Sequence, residues 1–198
     1  MNKKKKSIVI FTGPSGVGKG TVEQLVFNYD ELNLSLSCSA TTRSPRGGET
    51  NGIHYYFISK EEFKDRIKNK KFLEYSFHFD NYYGTLYSEL DNIIARNKVP
   101  FLEIETNGAK IIAQKMQKLK NPPYNLITIF LSPPSITDIY KRIKNRGTEN
   151  AQTIKNRVNK AKEELLEDGN FKYVVYNDRP ERAAQEIREI LHKELDID

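Results

Sequence analysis

The chain has 198 residues and a mass of 22.9 kDa, with 37% hydrophobic and 29% charged residues, the balance of a soluble globular protein with one domain-sized core. That size leaves room for one or two small inserted lobes and excludes a peptide-sized binding module. The net charge of +6 and pI near 9.2 imply affinity for anions, but the lysines are scattered over helical stretches with no basic stripe interleaved with aromatics. A small phosphorylated ligand held by arginines is therefore expected in preference to nucleic acid.

In chain order, Met1-Asn2-Lys3-Lys4-Lys5-Lys6 is a basic lead-in followed by too short an apolar run for a signal peptide. No apolar stretch approaches the roughly 18 residues of a membrane span, so a cytoplasmic location without a membrane partner is expected. Ser7 to Phe11 reads as a buried parallel strand. It leads directly into Gly13-Pro14-Ser15-Gly16-Val17-Gly18-Lys19-Gly20-Thr21, and the helical spacing of Val22, Leu25 and Val26 predicts a helix to about Tyr29. Strand, glycine-rich turn and helix are the context of a phosphate-binding loop. Inward-turning N–H groups and the helix N-terminus cradle a diphosphate, while the ammonium of Lys19 reaches the β/γ oxygens. Gly20 stands where a Ser or Thr hydroxyl normally helps to hold Mg2+, which leaves water, the phosphates or a shifted Thr21 to complete the coordination.

Leu34, Leu36 and Cys38 alternate with serines, which predicts a second strand through Ser39, followed by a polar turn carrying Arg43 and Arg46. Cys38 is the single cysteine; it excludes an internal disulfide and fits a reducing compartment. From Asn51 the character changes to a small lobe: a strand over Ile53–Ile58, a helix capped by Ser59 with Glu62, an aromatic stretch over 72–79 and a return through Tyr82-Tyr83-Gly84. Leu86, Leu90 and Ile93 or Ile94 predict a helix to Lys98, and Val99 to Glu105 a strand with an acidic end. A helix over Ala109–Leu119 and a strand over Leu126–Leu131 follow. Next come a helix through Ile136, Ile139, Tyr140 and Ile143, a break at Arg146-Gly147-Thr148-Glu149, and a helix through Ile154, Val158, Ala161 and Leu165. Tyr173–Tyr176 is the last strand, and Ile187, Ile190 and Leu191 mark a closing helix.

This alternation predicts an α/β fold with a parallel sheet covered on both faces and ligands beyond the C-terminal strand ends. The glycine loop, Arg43, Arg46, Glu103, Glu105 and Asn177 all fall there. His54, His78 and His192 lack the spacing of a metal site. A phosphate loop commits the chain to a nucleoside triphosphate, not to one reaction. Phosphoryl transfer to a small molecule needs an acceptor site that holds an anion, and the forks of Arg43 and Arg46 suit an acceptor phosphate.

Several ordered motifs then carry a resemblance: GPSGVGKGT at 13–21, SATTRSPRGGE at 39–49, NGIHYYF at 51–57, FLEY at 72–75, NYYGT at 81–85, FLEIETNG at 101–108, IFLSPPS at 129–135, RIKNRGTE at 142–149 and VVYND at 174–178. From Ile8 to about Leu191 the chain resembles the bacterial guanylate kinases. The resemblance implies a P-loop three-layer core (1–38, 88–137 and 166–198), a GMP-binding lobe (39–87) and a helical lid (138–165). It implies reversible, Mg2+-dependent phosphoryl transfer from ATP to GMP or dGMP, by a monomer or weak homodimer. By position, Ser39, Glu74 and Thr85 would meet guanine, and Arg43, Arg46, Tyr55 and Tyr83 the GMP phosphate, with Glu49 beside them. Arg142, Arg146 and Arg157 would act with Lys19 and Arg43 on the moving phosphoryl group, and Asn177 would line the adenine side. Glu103 and Glu105 replace the usual aspartates near the magnesium waters and the guanine edge. The same fold serves two alternatives: another nucleoside monophosphate kinase, from which Glu74 and Ser39 argue away, and a catalytically silent interaction domain, from which the intact Lys19 argues away.

Overall fold

The computed structural model describes residues 6–78, 80–145 and 150–197. Arg146, Gly147, Thr148 and Glu149, where the break between two helices is expected, lie outside the described residues. Strand β1 (Lys6–Thr12), helix α1 (Lys19–Val26) and strand β2 (Leu34–Leu36) open a core. The chain then forms a lobe from β3 (Ala40–Thr41), β4 (Tyr56–Phe57), α2 (Lys60–Lys68), β5 (Phe72–His78) and β6 (Asn81–Leu86). It returns through α3 (Tyr87–Ala95), β7 (Val99–Glu103), α4 (Thr106–Gln117) and β8 (Tyr124–Ser132). Helices α5 (Ile136–Asn145) and α6 (Ala151–Leu165) make a pair, and β9 (Tyr173–Tyr176) with α7 (Pro180–Leu195) completes the core.

The core sheet has the order β2-β7-β1-β8-β9 with every pairing parallel. The two-residue period of β1 divides its side chains between the faces. Val9 and Phe11 pack with Val22 and Val26 of α1 and with Ala183, Ile187 and Leu191 of α7, whereas Ile8 and Ile10 pack with Leu90 of α3 and Ala109 and Ile112 of α4. All of these are buried, and each large apolar side chain contributes about 1.5–3 kcal/mol on leaving water. Three layers result because both faces of the strand need cover. The lobe sheet, ordered β4-β3-β6-β5, is mixed: β3 runs parallel to β4 and antiparallel to β6, and β5 and β6 form a hairpin.

The structure redraws several expected elements. The strand expected over 34–39 changes sheet partway: Leu36 pairs with Phe101, Ser37 N–H donates to Phe101 O at 2.9 Å, and the chain then leaves, so that Ala40 pairs in the lobe. The strand expected over 53–58 pairs regularly only at Tyr56–Phe57. Gly52 has φ 78°, and Ile53 N and His54 N both donate to Thr50 O, so the preceding residues turn, leaving Ile53 exposed. Leu86 ends β6 before α3 begins, although it shares the helical spacing. Helix α4 starts at Thr106, ahead of its first apolar position, with Glu105 in extended geometry at the N-cap. Helix α1 stops at Val26, and a 3-10 turn over Asp30–Leu32 follows.

The lobe owns a small buried cluster of Ala40, Phe63, Phe72 and Leu86, in which Phe63 stacks on Phe72 at 4.3 Å and on Tyr82 at 5.1 Å. Phe63→Ala should therefore cost about 3–5 kcal/mol in urea unfolding, with amide exchange accelerated in residues 56–86 before the core sheet. Uniform acceleration through both sheets would contradict a separate lobe core.

Candidate active site

The glycine loop crosses the C-terminal end of β1 where backbone approaches too closely for side chains. A Cβ at Gly13 would lie 2.3 Å from Leu131 O, and one at Gly18, which has φ 98°, would lie 2.8 Å from Asn177 Nδ2. Lys19, the first residue of α1, donates from Nζ to Gly13 O at 2.8 Å. Burial holds its ammonium below the ordinary lysine pKa, opposed by the charges of Glu103, Glu164 and Glu105.

Residues from distant segments brace this loop. Arg142 donates from Nη1 to Val17 O at 2.6 Å and from Nη2 to Asn177 O at 2.7 Å, and Asn177 Nδ2 donates to Val17 O at 2.8 Å. Arg142 and Asn177 are thus joined to each other and to the loop backbone. Asn177 Oδ1 is buried without a hydrogen-bond partner among the described residues. Arg157 donates from Nε and Nη2 to Ser15 Oγ at 3.1 and 2.8 Å, and Ser15 N–H donates to Glu164 Oε2 at 3.1 Å. Both come from α6, which sets that helix over the loop. Arg146 lies outside the described residues.

Around Gly20 the site is open, since a Cβ there would meet nothing within 4 Å. Thr21 is exposed on the same first turn of α1, and Glu103 is exposed at the end of β7. Glu23, one helical turn after Lys19, has its Oε2 buried with no hydrogen-bond partner among the described residues. Desolvation first, and then the negative charge of Glu103, push its carboxyl from 4.5 to about 7. Among the described residues no group of three or more His, Cys, Asp or Glu could hold a metal by itself, so the two carboxylates and the room beside Gly20 fit a hard divalent cation only as one carried with phosphates and water.

The second half of the site lies in the lobe. The guanidinium of Arg43 forks onto Glu49, Nη1 to Oε2 at 2.7 Å and Nη2 to Oε1 at 2.9 Å, and Arg46 N–H donates to Glu49 Oε2 at 2.7 Å. The Arg43 fork holds the Glu49 carboxyl down at about 2. Arg43 also sits 5.2 Å over the Tyr55 ring, which meets Tyr83 edge-on at 6.3 Å. Arg46 is exposed beside them. Deeper in, Glu74 is buried on β5, accepts from Thr85 Oγ1 at 2.8 Å, and has its pKa raised by desolvation. Gly108 of α4 lets this carboxylate approach: a Cβ there would lie 3.1 Å from Glu74 Oε2. Ser39 is half-buried, and its carbonyl accepts from Tyr56 N at 2.9 Å.

Glu105 joins the parts, with Oε1 lying 3.5 Å from Lys160 Nζ of α6 and 3.5 Å from His78 Nε2 of the lobe. Sequence reasoning did not single out Glu23 or Glu164 and set His78 aside. Only Glu23 carried a local signal, four residues after Lys19 on one face of α1.

A phosphate loop at the C-terminal end of the central strand of a parallel sheet, roofed by a basic helix and faced by an arginine and tyrosine cluster in a separate lobe, defines a nucleotide-binding protein of the P-loop class. The guanylate kinase family model matches residues 4–194. The chain is 99% identical over 198 residues to the guanylate kinase of Mycoplasmopsis synoviae (strain 53), covering 100% of each. It is 51% identical over 193 residues to that of Mycoplasmopsis pulmonis (strain UAB CTIP), covering 98% of this chain and 97% of the other. The crystal structure of guanylate kinase from Anaplasma phagocytophilum superimposes with a TM-score of 0.73 at 28% identity, covering 98% of this chain and 88% of that one. The chain belongs to the guanylate kinase family.

Because the folded state holds a proton on Glu23 that the unfolded chain releases near pH 4.5, stability should fall as pH rises from about 4.5 to about 7. Melting curves across that range should decline less steeply for Glu23→Gln than for the natural chain. Parallel profiles would show that Glu23 ionises normally.

Proposed function

We infer that this chain transfers the γ-phosphoryl group of ATP reversibly to GMP or dGMP, giving ADP and GDP or dGDP. The observation that carries the reading is the pairing of a phosphate loop with a lobe that sets a buried carboxylate, Glu74, behind an Arg43–Tyr55–Tyr83 cluster. The two halves divide the work. The N–H groups of the glycine loop and Lys19 hold the donor phosphates, with Gly13 O releasing the ammonium to them. Arg43, Arg46, Tyr55 and Tyr83 hold the acceptor phosphate, and Arg43 exchanges the Glu49 carboxylate for it.

Guanine offers adjacent N1–H and N2–H donors, and an ionised Glu74 accepts both while Thr85 fixes its other side. Those donors favour ionisation and so oppose the upward pKa push of burial. Adenine lacks that donor pair, which favours guanine over other acceptors. Ser39 and Glu105 complete the base edge. The attacking phosphate oxygen is already anionic, so positioning and charge cancellation suffice without a general base. Arg142 and Arg157 supply the cancellation from α5 and α6, with Arg146 between them in sequence. Asn177 places the loop end next to the adenine side.

Glu103, Thr21 and, once it has lost its proton, Glu23 would hold magnesium, partly through water; magnesium would supply neutralisation of the donor phosphates' charge. Among the described residues no helix is long and apolar enough to cross a membrane; a cytoplasmic location and a monomer or weak homodimer belong to the proposal.

A coupled assay should show turnover with GMP and dGMP that is lost with AMP, UMP or dTMP; equal use of AMP would overturn the guanine assignment. Lys19→Ala should lower kcat about 10²–10³-fold. Arg43→Ala should raise the KM for GMP far more than that for ATP, and unchanged kinetics in it would remove the acceptor-site assignment. Gly20→Ser, for which there is room, should raise activity only at limiting Mg2+; no change across Mg2+ concentrations would mean that the hydroxyl is already replaced.

A further inference from the structure

His78 ends β5, and its imidazole lies face to face with the Tyr83 ring on β6, with centroids 4.4 Å apart and planes 7° from parallel. Its edge turns the other way: Nε2 is 3.5 Å from Glu105 Oε1, and Nδ1 is 3.5 Å from Ser76 Oγ. One side chain thus touches the tyrosine of the phosphate cluster with its face and the carboxylate at the start of α4 with a nitrogen. Tyr83 in turn meets Tyr55, which lies under Arg43.

Glu105 has freedom that binding must remove: it is 48% exposed, and its three side-chain torsions give many rotamers. Tyr83 is half-buried, meets Tyr55 edge-on and interacts with the Arg43 guanidinium, so the face of its ring is the part left for His78 to hold. A flat ring stacked on Tyr83 limits its rotation, and a ring nitrogen beside Glu105 biases the carboxylate toward the lobe, against the pull of Lys160 from α6.

We propose that His78 is a positioning residue of the acceptor site, preorganising Tyr83 and Glu105 for the nucleoside monophosphate. The inference rests on the reading of Tyr83 and Glu105 as acceptor contacts. His78 acts through Tyr83 and Glu105, so its contribution falls on acceptor binding and not on the chemical step.

Steady-state kinetics with GMP and ATP varied separately test it. His78→Ala should raise the KM for GMP about three- to tenfold, with kcat within about twofold and the KM for ATP unchanged. His78→Phe, which keeps the stacked ring, and His78→Gln, which keeps a donor, should each recover part of the loss. An unchanged KM for GMP in His78→Ala overturns the proposal, as does a loss falling equally on ATP, or one that tracks a lowered melting temperature without partial recovery in Phe or Gln. Glu105→Ala, measured alongside, separates the two layers. If it raises the KM for GMP and His78→Ala does not, the role of His78 alone fails. If Glu105→Ala has no effect, the acceptor reading of Glu105 fails, and the proposal with it.

Discussion

A half-buried lysine ammonium begins α1, and the surrounding architecture can be read as its compensation. Desolvation disfavours the charge, and one carbonyl bond from Gly13 does not replace a hydration shell. The remaining support is electrostatic and comes from three directions: Glu103 at the end of β7, Glu105 at the start of α4 and Glu164 on α6. Those carboxylates stand where incoming phosphates need a positive field. On the proposed reading, arriving phosphates meet a cation already fixed in place, which limits reorganisation.

The same logic governs the lobe. Arg43 is held by Glu49 and Tyr55 in a planar, bidentate arrangement before any acceptor is present. Its geometry is preorganised, and the counter-ion can be traded. Glu74 follows the opposite design, buried with a hydroxyl donor on one oxygen and glycine clearance on the other. The Arg43–Glu49 pair is part-buried, its side chains 15% and 18% exposed, whereas Glu74 is 7% exposed and enclosed by the lobe and α4.

Features set by local chemistry were legible in the sequence. The glycine loop announces itself because positive φ and close approach demand glycine at fixed spacing, and β1 because alternate residues serve two cores. Long-range partners were not legible. Alternation from Leu34 to Ser39 is real, but it gives no sign that the chain changes sheets at Ser37, since the choice depends on Phe101 O and on Glu89, 51 residues from Cys38. Thr106-Asn107-Gly108 opens α4 without an apolar signal, and there Gly108 leaves room for Glu74 while Thr106 Oγ1 meets Thr12 Oγ1 at 3.4 Å. The bond from Ser15 to Glu164 spans 149 residues, and no spacing rule anticipates it.

That change of sheet has a mechanical consequence. The lobe departs the core after Leu36 and rejoins it between Leu86 and Tyr87, and Glu89 ties the region by accepting from Cys38 N at 3.3 Å and Tyr56 Oη at 2.8 Å. The lobe is held at more than its two covalent crossings: Leu73 of β5 is buried with Leu90, Ala109 and Ile112 of the core, and Lys115 Nζ of α4 donates to Leu73 O at 3.0 Å. The lobe is thus pinned at both crossings and along β5. Its length and composition can vary without re-registering the five-stranded sheet, which lets specificity for the acceptor evolve separately from the machinery that grips the donor.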